Sequence, residues 1–400
     1  MQKSNFLIIG AGIIGLSIAK RLREKYPNKS ITIIEKESKV GLHASGRNSG
    51  VLHAGFYYSA NSLKAKFTKE GNAMLKEFCQ ANSIDINYSQ KVVIAQNEEE
   101  MQTLFELEKR GKINGVDVSI ITQDELAQIE PNAKTHQYAL YSPSTATVNP
   151  KEVVEKLAQI LADSKVRFEF ECEYQKYNGD NVISTNKGEF KADIIINTAG
   201  LYADKIAHDF KIGQRYTIIP FKGIYLKYTK DDKPIKTNIY PVPNLKNPFL
   251  GVHYTITQDN TIKIGPTAIP AFWRENYKGL DNFNLGEMLQ ILGYEAKLFV
   301  TNSFGFRDLA FEEFKKYAKS YLISLAKSMV KSIDESGFNQ WSTPGIRAQL
   351  LDKDTLELVQ DFVVESKDNS VHILNAVSPA FTCSFSFASW VVDEYISTKL

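Results

Sequence analysis

Three cysteines in 400 residues, Cys79, Cys172 and Cys383, are too few and too widely spaced for a disulfide framework or a metal-binding pair. They read as reduced, structural thiols of a cytosolic protein, and neither a disulfide nor a metal is expected. Histidine is also scarce, at six, so any histidine chemistry falls on few residues. Neither charge sign dominates, since 48 lysines and arginines face 46 aspartates and glutamates for a net charge of +2. That balance gives no reason to expect nucleic acid as a partner. No apolar run reaches transmembrane length, and no internal repeat or low-complexity tract is present. What remains, 43% hydrophobic and 24% charged residues, belongs to a soluble globular chain long enough for two domains.

The N-terminal "MQKSNFLIIGAGIIGLSIAKRL" has the lysine and apolar run of a signal peptide, but its glycines point elsewhere. Gly10, Gly12 and Gly15 form G-x-G-x-x-G between a strand-like and a helix-like stretch, and "SITIIE" ends in Glu35 twenty residues beyond Gly15. Glycines admit a pyrophosphate to the backbone, the helix N-terminus stabilises its charge, and a strand-end carboxylate accepts ribose hydroxyls. The ligand is FAD or NAD. The loop "KESKVGLHASGRNSGVLHAG" after the second strand favours FAD, because a permanently held dinucleotide needs a small, polar segment crossing beneath its ring. Lys36, Ser45, Arg47, Asn48, Ser49 and Gly50 are its expected contacts.

Two later pieces fit the same domain. "KADIIINTAGLYADKIA" reads as a buried strand delivering a tight turn, with Ala199 and Gly200 beside the cofactor, then a helix. Near the C-terminus a strand ends at Asn375, a turn carries Ser378 and Pro379, and an apolar helix begins near Ala380, its N-terminus suited to negative charge on a reduced flavin. Gly345 precedes this piece in "WSTPGIRAQLL". The expected fold is α/β plus α+β: a discontinuous Rossmann-type FAD-binding domain (1–85, 141–211 and 336–400) with a mixed-sheet substrate-binding cap domain (86–140 and 212–335). The cap is read from alternating patterns such as "GIYLKY", "FLGVHYTIT" and "TIKIGPTA" and a long helical stretch near 311–333.

The segments "SGRNSGVLHAGFYYSANSLKAKF", "INTAGLYAD", "PFKGIYLKY", "IYPVPNLKNPFLGVHYT", "IGPTAIPAFWRE", "PGIRAQLL" and "ILNAVSPA", with the glycine motif, resemble the D-amino-acid oxidase class of flavoproteins and, within it, the L-2-hydroxyglutarate dehydrogenases or oxidases. The resemblance runs from residue 6 to about 390. It implies oxidation of L-2-hydroxyglutarate, or a close 2-hydroxy acid, to 2-oxoglutarate, with hydride passing to flavin N5 and electrons going on to a quinone, an electron carrier or oxygen. Two positions depart from the family pattern: Arg47 stands where histidine is common, and "AVSPAFTCS" places Phe381 where "APSPAATSS" is usual. Both bear on which hydroxy acid is accepted.

Such chemistry needs a hydride acceptor, a base for the hydroxyl proton, and cations for the carboxylates. His136, His208 and His372 fall in segments that read as loops or surfaces, whereas His43, His53 and His253 lie within the distinctive motifs. His53 and His253 are the expected base and hydroxyl-binding pair, with His43 behind them. Arg347 is the first choice for a carboxylate, since guanidinium binds one bidentately. Tyr240, Lys222 and Arg274 are weaker choices for the second. An amine or amino-acid oxidase and a non-catalytic flavin sensor are the alternatives on this fold. The basic helix near 311–333, with Phe314, Tyr321, Leu325 and Met329 at helical spacing, is a peripheral-membrane feature for a cytoplasmic enzyme on the inner membrane face, or else a surface helix packed on its own domain.

Overall fold

The computed structural model describes residues 1–243 and 251–400. Of the expected strand "FLGVHYTIT", Phe249 and Leu250 lie outside the described residues, while His253–Ile256 is a strand. By packing, the chain divides into one unit of residues 1–48, 150–220 and 347–400 and another of 49–149 and 221–346.

The first unit is α/β. Phe6 to Ile9 are all buried, as a central parallel strand covered on both faces requires. Gln2–Ile9 pairs in parallel with Ile31–Ile34, Phe6 opposite Ile31, and with Gly188–Asn197, Phe6 opposite Ile194. Arg167–Glu169 extends the sheet beyond Ile31–Ile34, and Ser370–Asn375 joins the end of Gly188–Asn197. Three antiparallel strands, Tyr174–Gly179, Val182–Thr185 and Val363–Lys367, bring the sheet to eight. The helix Ile13–Lys25, with Leu16, Ile18 and Leu22 buried, packs against the helices Pro150–Asp163 and Ala380–Val391. His372 corrects the surface expectation: its strand is buried along its whole length, and Asn197 Nδ2 lies 3.1 Å from its Nδ1. That burial lowers its pKa to about 3, so the ring is neutral.

The second unit is α+β. One mixed sheet runs Asn238–Pro241, Lys91–Ile94, Tyr138–Ser142, Ser119–Thr122, in which Asn238–Pro241 and Lys91–Ile94 are parallel. An antiparallel sheet runs His253–Ile256, Ile262–Gly265, Leu226–Tyr228, Phe338–Trp341. Side chains from both sheets, among them Val92, Ile239, Leu226, Tyr254 and Phe338, share one core with the helix Lys319–Lys327.

Two expectations change here. Residues 49–85 pack within the second unit, and the junctions at 149/150, 220/221 and 346/347 replace those expected at 140/141, 211/212 and 335/336. The reason is packing: Phe56 and Tyr57 share a core with Val93, Leu104, Leu107 and Val118, and Asn114 Nδ2 donates to the carbonyls of Gly55 at 3.0 Å and Tyr58 at 2.9 Å. The stretch 311–333 is two helices, Phe306–Lys315 and Lys319–Lys327, the second burying Leu322, Ile323 and Ala326 in the core of its own unit. Met329 is buried there too, whereas Phe314 is exposed, so the expected apolar stripe is divided between two environments.

Candidate active site

In the first unit the glycine motif makes a tight turn from strand to helix. Gly10 has φ +105°, and a Cβ there would lie 2.8 Å from the Thr198 carbonyl oxygen. A Cβ on Gly15 would meet the Gly10 carbonyl oxygen at 2.2 Å and Thr198 Oγ1 at 2.7 Å, so helix and strand approach as only glycine permits. Thr198, which sequence reading did not single out, ties the two turns together: its hydroxyl donates to the carbonyls of Ile9 at 2.9 Å and Gly10 at 3.1 Å. Its signal was a small hydroxyl residue directly after the buried strand. Gly200, at φ +54°, opens the short turn Gly200–Tyr202, and Ala199 N–H donates to Asn197 Oδ1 at 3.2 Å.

Glu35 sits where the second strand ends. Its carboxylate accepts the Ala11 N–H at 2.8 Å and the Glu37 N–H at 3.0 Å, which fixes its direction beside the glycine turn. The polar loop is shaped mainly by itself: Ser45 Oγ accepts the Ile13 N–H at 2.9 Å, Arg47 Nε donates to the Leu42 carbonyl at 2.6 Å, and Asn48 Nδ2 donates to the Ser45 carbonyl at 2.8 Å. Lys36 and His43 both reach Glu37 Oε1, at 2.7 and 2.8 Å. Burial alone would raise the Glu37 carboxyl, but the hydrogen bonds from Lys36 and His43 outweigh it and hold it below the usual range. His43 is therefore engaged with a carboxylate in its own unit. Ser378 and Pro379 form the turn before the helix Ala380–Val391, with Phe381 half-buried in its first turn. Arg347, also half-buried, lies in the strand Gly345–Asp352. Ser49, Gly50 and Gly345 belong by packing to the second unit, where the Gly50 carbonyl accepts the Val148 N–H at 2.9 Å.

The second unit brings together His53, His253 and Tyr240. The His253 and Tyr240 rings stack with centroids 3.7 Å apart and planes 18° from parallel. His253 Nδ1 lies 2.8 Å from the Gly251 carbonyl oxygen, which can only accept, so Nδ1 carries a hydrogen. Desolvation first, then the charges of Lys91 and His253, hold the His53 imidazole well below the ordinary histidine range and hence neutral. Burial likewise keeps the Tyr240 and Tyr57 phenols protonated. Lys222, a candidate for the second carboxylate, is buried, and its Nζ donates to Asn276 Oδ1 at 3.2 Å. Arg274 is also buried, its Nε 3.9 Å from Glu287 Oε1 and its backbone N–H donating to Glu287 Oε2 at 3.2 Å. It serves as a structural ion pair within its unit. Lys91, in "QKVVIAQ", was missed altogether: its only sequence signal is a lysine opening an apolar strand.

The family model described as FAD dependent oxidoreductase matches residues 5–394. The chain belongs to that family. As a member of the FAD dependent oxidoreductases it is an FAD-dependent enzyme, and it is similar over nearly all its length to proteins named L-2-hydroxyglutarate dehydrogenase. That of Indibacter alkaliphilus is 36% identical over 97% of both chains. The mitochondrial protein of Homo sapiens is 34% identical over 98% of this chain and 88% of its own. Among solved structures, FAD-bound L-alpha-glycerophosphate oxidase of Mycoplasma pneumoniae superposes with a TM-score of 0.78 at 22% identity, covering 98% of this chain and 94% of that one. Glycine oxidase of Geobacillus kaustophilus gives 0.71 at 17%, covering 100% and 96%. At such identities the likeness is one of fold.

The residues present fit FAD. Gly12 caps the helix Ile13–Lys25 and its first turn holds no acidic residue, so no charge within the helix would oppose a pyrophosphate at its positive end, where Ser45 Oγ takes the Ile13 N–H. Glu35 is the residue to hold ribose hydroxyls, and the turns at Gly10 and Ala199–Gly200 leave no side-chain bulk beyond a methyl in its way.

Proposed function

We propose that the enzyme oxidises L-2-hydroxyglutarate, or a close 2-hydroxy acid, to 2-oxoglutarate. The observation that carries this reading is the identity of 31–36% to L-2-hydroxyglutarate dehydrogenases of bacteria and eukaryotes, sustained over at least 96% of the chain. Bound FAD supplies the acceptor for the hydride leaving C2. The protein's share is a base for the hydroxyl proton, a partner for the hydroxyl oxygen and cations for the carboxylates. We assign the base to His53, whose neutral ring has a lone pair to receive that proton. His253, its Nδ1–H taken by the Gly251 carbonyl, is assigned to the hydroxyl oxygen, to which a hydrogen on Nε2 of the charged ring would donate. Arg347 is assigned to a carboxylate, and Lys222 stands ahead of Arg274 for the second, because Glu287 already neutralises Arg274.

Electrons then pass to a quinone, an electron carrier or oxygen. For the first of these we propose peripheral contact with the inner membrane face, from a cytoplasmic position. The contact falls on the exposed Phe311, Phe314 and Tyr317 with Lys315 and Lys319 beside them, the apolar side of Lys319–Lys327 being already buried.

The test is anaerobic addition of L-2-hydroxyglutarate to the FAD-loaded protein, following the flavin's visible absorbance. Bleaching is expected with the L-hydroxy acid and not with the D-enantiomer or with L- or D-amino acids. Bleaching by an amino acid alone would overturn the assignment in favour of an amine oxidase. His53→Asn should slow the bleaching by roughly 100-fold or more, as loss of a general base does.

A further inference from the structure

Lys91 lies in the strand Lys91–Ile94 and is entirely buried. Among the described residues its Nζ has no hydrogen-bond partner. What faces it is aromatic: the Tyr240 ring with its centroid at 4.0 Å, Tyr57 at 5.2 Å and Phe56 at 5.7 Å. The register explains the closest contact. Asn238 stands opposite Lys91 and Tyr240 opposite Val93, so Lys91 and Tyr240 are diagonal neighbours on adjacent parallel strands. The Tyr240 ring carries His253 stacked at 3.7 Å, and Nζ at 4.0 Å must take the other face, since both groups cannot occupy one. The result is a layered arrangement of ammonium, phenol and imidazole.

A buried ammonium without an acceptor costs stability, so its retention calls for a function. Cation–π attraction offsets part of that cost and draws the Tyr240 ring towards the cation. Among the described residues no carboxylate pairs with Lys91. The titratable groups that act on His53 include Lys91 and His253, and Tyr57 and Tyr240, both neutral, face Lys91, with Tyr58 acting on Tyr57 and Tyr225 on Tyr240. The Lys91 charge is therefore felt by the histidines instead of being cancelled locally.

We propose that Lys91 is a positioning residue: its ammonium, seated on the face of Tyr240, holds the Tyr240–His253 stack and sets the charge around His53. The proposal rests on His53 being the base. Burial lowers the Lys91 pKa to about 7, so the ammonium is charged across the acidic range in which a histidine would otherwise take up a proton.

The experiment uses the FAD-loaded protein with isotope-labelled histidine, titrated by NMR, alongside the pH profile of kcat/KM. Lys91→Met is expected to move the His53 midpoint upward by about 1 pH unit, and the acid limb of kcat/KM by the same amount. KM at pH 8 should stay near the wild-type value. Lys91→Arg, which keeps the charge, should hold the wild-type midpoint. Lys91→Gln, polar but uncharged, is the companion variant and must show the same shift as Lys91→Met. An unmoved His53 midpoint in folded, FAD-containing Lys91→Met or Lys91→Gln overturns the proposal. A shifted midpoint with no turnover of any 2-hydroxy acid, even by wild type, retains the effect on His53 and withdraws the substrate.

Discussion

At Lys91 the fold takes an ammonium out of water and gives it aromatic faces in return, so its proton leaves at about pH 7 instead of above pH 10. Between those values the unfolded chain binds more protons than the folded one, and the stability this site contributes therefore rises with pH. Below about pH 7 the full cost applies, on the order of 4 kcal/mol. Lys91→Met is accordingly expected to raise the urea midpoint at pH 6, with a gain that shrinks steadily and vanishes by about pH 10. A gain of equal size at pH 6 and pH 10 would mean that packing, not charge, separates the two proteins. The sequence held almost no clue to this residue. Its strand partner comes from far along the chain, and a register that places Tyr240 diagonally across from a lysine cannot be read from "QKVVIAQ". His53 and His253, which the structure brings together, stand out in the sequence because they lie in unusual polar motifs, whereas His372 was misjudged because a lone histidine in a strand looks the same whether its neighbours are water or another strand.

Among elements, the glycine turn between Gln2–Ile9 and Ile13–Lys25 has the least tolerance for change. Gly15→Ala sets a methyl against the Gly10 carbonyl oxygen at 2.2 Å, and backbone on both sides prevents an easy escape. We expect it to cost roughly 3 kcal/mol and to lower the FAD content of the purified protein, read from the ratio of visible to ultraviolet absorbance. Wild-type FAD content and melting temperature together would contradict the close approach described here. This turn was fully legible, since strand, turn and helix each follow from local pattern. The segment 49–85 was not assigned to its unit, because what fixes it are long-range contacts, Phe56 and Tyr57 in a core with Val93 and Leu104 and Asn114 on the carbonyls of Gly55 and Tyr58. The break at Lys316–Ala318 was hidden by periodicity that continues across it while the partner surface changes.

For the molecule as a whole, a net charge of +2 supplies little general attraction to an anionic membrane, so any binding must come from the local cluster of aromatics and lysines. Co-sedimentation with anionic vesicles at low salt is expected, and Phe311→Ser with Phe314→Ser should reduce the bound fraction at least several-fold. Equal recovery with neutral vesicles, or none with either, would remove the membrane from the proposal. The two-unit plan was legible and its junctions were not, because a junction depends on which elements pack together. The interleaving of the units also sets an order of events. Gly188–Asn197 receives its parallel partner Ser370–Asn375 only when that strand has been made, while the sheet joining Asn238–Pro241 to Lys91–Ile94 is available earlier. On a ribosome, therefore, the half of the protein that begins first is the half that finishes last, and a nascent chain halted before residue 370 carries its glycine motif on a sheet still missing a strand.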